Sequence, residues 1–344
     1  MNSHDDLNMD RLARYFERHV EGSRGAIVAE RFSGGQSNPT YRIRDAAGRH
    51  FVLRKKPSGV LLPSAHAVDR EYRVLKALQD TEVPVPRVFA YCDDPGVTGT
   101  PFYVMEFVQG RIFWDPALPE LKPAERAALH DNVNRTVAAL HRVDVEAAGL
   151  ADYGRPGRFM ERQIARWTRQ YLAAATERID AMDRLIEWLP EHMPPGDESA
   201  VFHGDLRLDN MIVHPLEPRV LALLDWELST IGHPLADFAY HMLPWHLTAQ
   251  QFRGMADKSL AALGLPSESE YLRSYCLRVG RRDVEPTEWS FYVVYAMFRL
   301  AAILQGILKR SLDGTAANAD ARETGMKARV IAAVAWNYAN AGSR

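Results

Sequence analysis

The pattern of apolar and polar positions predicts a short helix followed by a small sheet in the first hundred residues. Residues 1–20 alternate charged with apolar side chains, which is typical of a short amphipathic helix. Residues 41–44 and 50–54 are two β-rich runs on either side of a turn containing Gly48, which predicts a hairpin. Apolar residues then recur at helical spacing over 67–78, and the prolines of VPVPRV predict the end of that helix. PFYVMEFV, residues 101–108, reads as a further strand.

Helical periodicity dominates from Pro123 to the end of the chain. Two stripes predict buried helix faces, and they are formed by Leu129, Val133, Val137 and Leu140, and by Ile164, Trp167, Tyr171 and Leu172. The main interruption lies near residues 200–225, where the β-prone pieces MIV and VLALL bracket a loop rich in His, Asp and Asn. Loops that are held by rigid elements often carry function. We therefore expect a strand-rich N-terminal lobe and a helical C-terminal lobe.

One apolar segment, residues 291–308, has the length of a membrane span. Arg299 near its centre would cost about 2.5–3.5 kcal/mol in a bilayer, so a buried core helix is the favoured interpretation and no membrane partner is expected. Lys and Arg number 42 against 44 Asp and Glu in 344 residues, without a long basic run. This balance argues against a nucleic-acid partner.

The two cysteines, Cys92 and Cys276, are too few for a disulfide framework, and neither belongs to a CxxC pair. The N-terminus lacks the continuous apolar core of a signal peptide. Together these features predict a reduced chain with a cytoplasmic location.

The strongest chemical signal is HGDLRLDN, residues 203–210, followed fifteen residues after Asn210 by Asp225 in DWE. Phosphoryl transfer needs a carboxylate that orients and deprotonates the acceptor hydroxyl, and oxygen ligands for the Mg²⁺ ions that neutralise the triphosphate. Asp205, Asn210 and Asp225 have the side chains for these tasks. Mg²⁺ prefers carboxylate and amide oxygens, whereas histidines suit softer metals.

The spacing HxDxxxxN, then an apolar strand and an Asp, resembles the protein-kinase-like fold. HGDLRLDN together with LLDWE resembles the aminoglycoside phosphotransferase and choline kinase family. The resemblance implies an α+β bilobal fold, with a small antiparallel-sheet N-lobe and a large, mainly helical C-lobe. It also implies that ATP and Mg²⁺ are cofactors and that the acceptor is a hydroxyl group of a small molecule.

The same resemblance assigns roles within the C-lobe. Asp205 becomes the catalytic base, His203 holds the loop, and Arg207 points toward the γ-phosphate, while Asn210 and Asp225 bind Mg²⁺. GHPLADFAY is similar to the family's GDPxxDLA stretch, which makes Asp237 a buried anchor of the loop. This chain has His233 at the position of the first Asp of that stretch.

The N-lobe follows the family's order as well. FVLRKK stands where the family's third strand places its ATP-binding cation, and either Arg54 or Lys56 takes that role here, with Glu71 as the helical partner. A loop of small residues that covers the phosphates is implied at SGGQSN, namely Ser33, Gly34, Gly35, Gln36, Ser37 and Asn38.

YVMEFV resembles the family's hinge. Met105 would be the gatekeeper, and the Glu106 carbonyl and the Val108 N–H would hold adenine. The resulting organisation is an N-lobe over residues 1–104, a hinge over 105–110 and a C-lobe over 111–344, with the catalytic loop at 203–210.

Segments such as VPVPRVFAYCDD, GTPFYVMEFVQGR and LDWELSTIG resemble kinase-like domains joined to acyl-CoA dehydrogenases and their free-standing bacterial relatives. This likeness implies a hydroxyacyl-CoA as acceptor, and the aromatic, apolar stretch DFAYHMLPWHL fits an acceptor of low charge. Arg278, Arg281 and Arg282 are candidate partners for the CoA phosphates.

Two alternatives stay open. A kinase for an aminoglycoside, a sugar or a choline-like alcohol has the same motifs. A catalytically silent nucleotide-binding or scaffold protein is the other, because Arg54 stands where the family usually has lysine, although arginine also pairs with phosphate. The oligomeric state has no signal in the sequence.

Overall fold

The computed structural model describes residues 7–32, 38–58, 67–155, 157–316 and 320–341. The chain divides into two compact units. The first comprises Met1–Arg111, Ile212–Pro215 and Leu221–Ser229, and the second comprises the remaining residues. Asp225 therefore belongs to the same unit as the N-terminal residues, which differs from a division by sequence order alone. Residues 33–37, most of the expected phosphate-covering loop, lie outside the described residues.

The first unit is built on a five-stranded antiparallel sheet with the strand order β1-β2-β3-β5-β4. The predicted hairpin is confirmed: β2 and β3 pair so that Thr40 lies opposite Arg54. Gly48 has a φ of +80° in the turn, which glycine adopts without the steric cost of a Cβ. The elements are α1 (Met9–His19), β1 (Ile27–Arg31), β2 (Thr40–Asp45), β3 (His50–Lys55), α2 (Val68–Leu78), β4 (Val88–Cys92), α3 (Pro95–Thr98) and β5 (Phe102–Glu106).

The core of the first unit lies between α1 and the sheet. The predicted amphipathic helix is confirmed, because Leu12 and Phe16 on α1 are buried against strand residues such as Phe51 and Val104. Burying a large apolar side chain stabilises a fold by about 1.5–3 kcal/mol. This packing leaves the residues on the opposite face of β3, including Arg54, to face α2.

The second unit is mainly helical, and its strands β6 (Ala200–Phe202) and β9 (Thr230–Gly232) form a two-stranded antiparallel sheet, with β6 directly before the loop at residues 203–210. β7 and β8 form another two-stranded sheet, and most of its residues, 212–213 and 221–223, belong to the first unit. The elements that follow β5 along the chain are α4 (Pro123–His141), α5 (Phe159–Ala174), α6 (Asp180–Glu191), β6 (Ala200–Phe202), β7 (Met211–Val213), β8 (Val220–Leu223), β9 (Thr230–Gly232), α7 (Pro234–His241), α8 (Leu243–His246), α9 (Ala249–Phe252), α10 (Leu260–Leu263), α11 (Glu268–Val279), α12 (Pro286–Leu312), α13 (Ala321–Met326) and α14 (Ala328–Ala341).

The central helix of this unit is α12, which packs against α5, α7, α13 and α14. It is long and apolar enough to cross a membrane by length and composition, but 83% of its apolar window is buried within the structure. This burial agrees with the predicted core helix. Arg299 lies in the middle of the helix and is buried with it.

The predicted stripe on α4 is confirmed, since all four of its members are buried. The stripe on α5 is wrong at its last position, because the Leu172 side chain is 58% exposed. Tyr171 and Leu172 are neighbours in sequence and therefore lie about 100° apart around a helix of 3.6 residues per turn. The buried face of α5 includes Tyr171 and stops short of Leu172.

Candidate active site

In the first unit, Arg54 on β3 joins the sheet to α2 and to the segment after β8. Its Nε lies 2.8 Å from the Glu71 carboxylate, and its Nη2 lies 2.9 Å from Oδ1 of Asp225. Glu227 is a third carboxylate, at 3.8 Å. Lys56, the competing candidate, lies beyond the end of β3 and forms no ion pair within the described residues. The structure therefore gives the glutamate-paired position to Arg54.

Three groups hold the Glu71 carboxylate in this buried place. Besides Arg54, the Asn38 amide donates to Oε1 at 2.7 Å and the Tyr103 hydroxyl donates to Oε2 at 3.0 Å. Burial raises the pKa of Glu71, and the charge of Arg54 opposes that rise. Burial acts to lower the pKa of Arg54, but Glu71 and the other nearby acidic groups raise it on balance. The arginine therefore keeps its charge.

Asp225, two residues after the end of β8, has an unusual backbone conformation. Its φ of +66° is the left-handed region that side chains other than glycine adopt rarely. The 3₁₀ turn Trp226–Leu228 follows, and the buried Trp226 donates its indole N–H to the Leu223 carbonyl. This packing holds the carboxylate beside Arg54, where Oδ2 stays without a hydrogen bond in the described part of the chain.

The adenine-binding residues expected from the sequence lie at the end of β5. Met105 is half-buried, opposite Val52 on β3. The Glu106 N–H donates to the Arg87 carbonyl at 2.8 Å. The N–H of Val108 has no acceptor within the described residues, so it remains a candidate donor to a base. These placements agree with the expectation but do not test it.

In the second unit, the loop after β6 is anchored by the buried carboxylate of Asp237 on α7. It accepts the backbone N–H groups of His203 at 2.6 Å and Gly204 at 2.9 Å, and His141 lies 3.3 Å away. Burial acts to raise the pKa of Asp237, but the His141 contact, other charges and the backbone donor hold it below its usual value. The predicted role of Asp237 as an anchor agrees with these contacts.

Within the loop, the Asp205 carboxylate is positioned by its neighbours in sequence. The Asp205 N–H donates to Nδ1 of His203 at 3.1 Å. The Asn210 amide donates to the Asp205 carbonyl at 2.9 Å and to its Oδ2 at 2.8 Å. Gly204 has a φ of +86°, which permits the sharp turn before Asp205.

Arg207 lies beside these carboxylates. Its Nε is 3.2 Å from Oδ1 of Asp205, and its Nη2 is 3.3 Å from Asp209. Asp209 has a second cationic partner in Arg253, at 2.6 Å. The expected orientation of Arg207 toward a phosphate stays a prediction, because its observed partners are carboxylates.

The sequence analysis did not identify Arg299 on α12 and Tyr240 on α7, which both lie beside this loop. The guanidinium of Arg299 donates to the Gly204 carbonyl and stacks on the rings of Tyr240, at 4.6 Å, and Trp167, at 5.2 Å. Burial first, and then the Asp205 carboxylate, raise the pKa of Tyr240. A lone arginine within an apolar helix was the available signal for Arg299.

The arrangement can also be tested against a magnesium ion. Asn210 uses its amide nitrogen in the loop, which leaves its amide oxygen as a ligand. Around Asp225, one guanidinium faces three carboxylates, so the local charge is negative. The Asn210 amide oxygen and the Asp225 carboxylate are each hard oxygen ligands of the kind that Mg²⁺ prefers, so each residue has the chemistry to hold the ion. No cluster of three or more His, Cys, Asp or Glu suited to a metal occurs among the described residues.

Two of the three arginines proposed for CoA phosphates already have carboxylate partners. Arg278 pairs with Asp131, and Arg281 pairs with Glu198 and, at 3.1 Å, with Glu288. These ion pairs argue against the expected role for both arginines. Arg282 is exposed.

Comparison with known proteins shows the family to which this chain belongs. The family model described as "Phosphotransferase enzyme family" (APH) matches residues 28–275. The chain therefore belongs to this phosphotransferase family. The fold agrees, because an aminoglycoside phosphotransferase APH(4)-Ia, solved with AMP-PNP and hygromycin B, covers 94% of this chain and 98% of its own at a TM-score of 0.60 and 16% identity. The expected protein-kinase-like α+β fold is confirmed.

Several relatives have a much higher sequence identity to this chain. A solved structure from Ralstonia eutropha JMP134, provisionally assigned as an aminoglycoside phosphotransferase, is 49% identical with a TM-score of 0.89 and covers 97% of this chain and 99% of its own. Acyl-CoA dehydrogenase family member 10 of Mus musculus is 47% identical over 94% of this chain and 31% of its own length. Probable acyl-CoA dehydrogenase IBR3 of Arabidopsis thaliana is 42% identical over 96% and 42%. The chain thus spans less than half of these curated relatives, and the predicted resemblance is confirmed.

Proposed function

We propose that this protein is an ATP- and Mg²⁺-dependent kinase that phosphorylates a hydroxyl group of a small molecule. The observation that carries the proposal is the placement of Asp205, which is held by His203, Asn210 and the Asp237-anchored backbone. A carboxylate fixed in this way can orient an alcohol and accept its proton. Membership of a phosphotransferase family supplies the reaction class.

In the proposed reaction, the acceptor hydroxyl loses its proton to Asp205 while its oxygen bonds to the γ-phosphorus of ATP. The bond from that phosphorus to the bridging oxygen breaks, and ADP leaves with the electron pair. Arg54 binds phosphate oxygens while Glu71 fixes its orientation. Mg²⁺ held by Asn210 and Asp225 would neutralise charge on the triphosphate.

For the acceptor, we propose a hydroxyacyl-CoA. Its support is the name of the relatives, which associates sequences like this one with acyl-CoA chemistry. The dehydrogenase activity in those names is not carried over, because this chain matches 31% and 42% of their lengths and lies in the phosphotransferase family. A cytoplasmic location, without nucleic-acid or membrane partners, accompanies this proposal.

The catalytically silent alternative gains no support from Arg54. Its guanidinium makes the ion pair with Glu71 that the customary lysine would make, and arginine also binds phosphate. Arginine in place of the family's lysine therefore still supplies a cation at this position.

A screen of acceptors with γ-labelled ATP tests the proposal. Hydroxyacyl-CoA thioesters, an aminoglycoside, a hexose and choline are each incubated with the protein, ATP and Mg²⁺, and the phosphorylated product is identified by mass spectrometry. We expect label on a hydroxyacyl-CoA, and a loss of about 10²–10⁴-fold in Asp205→Asn, where the base is absent. Transfer to the aminoglycoside, hexose or choline alone would overturn the acceptor, and equal transfer by Asp205→Asn would overturn the mechanism.

A further inference from the structure

A buried histidine on α4, His141, contacts the carboxylate that anchors the catalytic loop. The His141 side chain is 1% exposed, and its Nε2 lies 3.3 Å from Oδ2 of Asp237. That oxygen also accepts the backbone N–H of His203, and Oδ1 accepts the backbone N–H of Gly204 at 2.9 Å. Gly204 precedes Asp205 in the chain. The Asp237 carboxylate therefore links the imidazole to the backbone that leads into the proposed base.

The other ring nitrogen of His141 contacts a tyrosine on α11. Nδ1 lies 2.7 Å from the Tyr275 hydroxyl, and the two rings meet edge to face with their centroids 5.7 Å apart. Tyr275 is buried, and its ring stacks on that of Phe238, the neighbour of Asp237 on α7, at a centroid distance of 3.9 Å. Tyr275, His141 and Asp237 thus form one buried hydrogen-bond chain that ends at the catalytic loop.

The partners on either side determine which nitrogen of the imidazole carries a proton. Burial raises the pKa of Tyr275 well above its ordinary value, so the phenol keeps its proton near pH 7. Burial also acts to raise the pKa of Asp237, but the hydrogen bond from His141 and the other charges and donors beside it lower that pKa on balance. An ionised carboxylate only accepts hydrogen bonds, whereas a tyrosine hydroxyl can donate. A neutral imidazole with its proton on Nε2 therefore satisfies both partners.

We propose that His141 and Tyr275 are positioning residues of the catalytic loop: the Tyr275 hydroxyl orients the ring, and the Nε2–H of His141 holds the Asp237 carboxylate. Without this N–H the anchor has one donor fewer, so the loop that it binds is held less firmly. Small displacements of a reacting group can lower a rate about a hundredfold. The effect on turnover rests on the proposed kinase function, whereas the tautomer of His141 does not.

NMR of the whole protein with ¹⁵N-labelled histidine tests the tautomer without nucleotide or acceptor. The His141 signals are assigned by their absence from the spectrum of His141→Gln. At pH 7.5 we expect a protonated Nε2 and an unprotonated Nδ1 in the unsubstituted protein, because Nε2 faces an anion. Tyr275→Phe should shift the Nδ1 resonance, since that nitrogen loses its donor.

Two substitutions of His141 separate its two contacts. The terminal amide of glutamine can reach the position of Nε2 and donate to Asp237, whereas the shorter asparagine reaches only the position of Nδ1. We expect His141→Asn to lower the single-turnover rate about ten- to hundredfold at unchanged MgATP affinity, and His141→Gln to lower it less than about threefold. A purely space-filling role would give no such rescue by glutamine.

Hydrogen exchange gives a second measurement that needs no catalytic activity. Exchange of the peptide that contains residues 203–210 should become faster in His141→Asn than in His141→Gln, because only the asparagine variant loses the donor to the anchor. Circular dichroism confirms that each variant is folded under the conditions of the measurement.

Tyr275→Phe removes the hydroxyl and keeps the ring that stacks on Phe238. We expect a fall of about three- to tenfold in the single-turnover rate, and no further fall when it is combined with His141→Asn, because the two residues act in one chain. Tyr171→Phe is the matched control. Tyr171 on α5 is also buried, and its hydroxyl bonds to the backbone of Ile179 instead of this chain, so the rate should be unchanged.

Four results would overturn the inference: a proton on Nδ1 of His141 in the unsubstituted protein, an Nδ1 resonance that Tyr275→Phe does not shift, equal rates or equal loop exchange in His141→Asn and His141→Gln, or losses of rate in Tyr275→Phe and His141→Asn that add in the double variant. A protein with the expected tautomer and loop exchange that transfers no phosphate to any acceptor would overturn the proposed function alone.

Discussion

The two units carry candidate site residues that are held in different ways. In the first unit, Arg54 is fixed by ion pairs to carboxylates, and Glu71 accepts two further donors. In the second unit, Asp205 is fixed by hydrogen bonds of the loop, whose backbone is anchored on Asp237. The first arrangement fixes a charge, and the second fixes a geometry.

This difference suggests a division of tasks. The guanidinium is suited to phosphate oxygens, and its acidic neighbours are suited to a metal ion. Changes in the first unit should therefore alter nucleotide binding. A carboxylate in a fixed loop is suited to proton transfer, so changes there should alter the rate of the chemical step. The following predictions test the two halves of this comparison.

The largest effect on stability is expected from Arg54→Met. It leaves the buried Glu71 carboxylate without its cation, and breaking a buried ion pair in this way costs about 3–5 kcal/mol. Hydrogen exchange of peptides from β3 and α2 measures the change. The control is Arg42→Met, whose ion pair with Glu30 is exposed and should contribute at most about 1 kcal/mol. Equal losses in both variants would contradict the importance of the buried pair.

A smaller effect is expected from Arg299→Lys, and it concerns rate. Lysine keeps the charge but lacks the planar group that stacks on Tyr240 and Trp167 while donating to Gly204. Turnover should fall about ten- to hundredfold through misplacement of the loop, with ATP affinity unchanged. Arg310→Lys, at an exposed position of α12, is the control. A weaker ATP affinity at unchanged turnover would show that Arg299 acts elsewhere.

The second unit should also lose stability on mild acidification. Burial lowers the pKa of His130 and of His233 to about 4, below the ordinary value of 6.5. The unfolded chain therefore takes up protons first as the pH falls, so stability is complete above pH 6.5 and decreases toward pH 4. The expected slope is about 1.4 kcal/mol per pH unit for each histidine.

Urea unfolding followed by tryptophan fluorescence at pH 7.5, 6 and 5 measures this slope. His130→Gln should reduce it by one histidine's share, whereas substitution of the exposed His192 by Gln should leave it unchanged. A slope that His130→Gln does not alter would show that this ring is not responsible.

The smallest effect is expected at Leu172. Because its side chain is exposed, Leu172→Ser should change the free energy of unfolding by less than about 0.5 kcal/mol. Ile164→Ala on the buried face of the same helix should cost about 2–5 kcal/mol. Thermal unfolding of the two variants compares them, and a large loss in Leu172→Ser would restore the stripe expected from sequence.

Local patterns predicted the features that depend on neighbouring residues. The hairpin of β2 and β3 and the loop 203–210 follow from short-range spacing and turn residues. The contacts of Arg299 with Gly204 and of His141 with Asp237 join residues that are 95 and 96 positions apart. Such pairs depend on how helices pack, and periodicity shows only which face of a helix is buried.

Contacts between residues distant in sequence also explain why Arg278 and Arg281 were expected to bind CoA phosphates. A basic cluster is visible in sequence, but its carboxylate partners are not, and Arg278 pairs with Asp131 on a different helix. The glutamate partner of Arg54 was predictable because the family resemblance supplied the pairing. Its companions Asn38 and Tyr103 emerged only from the packing.

The most direct test of the division of tasks compares Asp225→Asn with Asp205→Asn, which make the same chemical change in the two units. Affinity for MgATP and the single-turnover rate of phosphoryl transfer are measured on both. We expect Asp225→Asn to weaken MgATP binding by more than about tenfold, because a metal ligand and the partner of Arg54 lose their charge. Asp205→Asn should retain that affinity and lose about 10²–10⁴-fold in rate. Unchanged transfer in Asp205→Asn, or equal losses of MgATP affinity in both variants, would contradict the account.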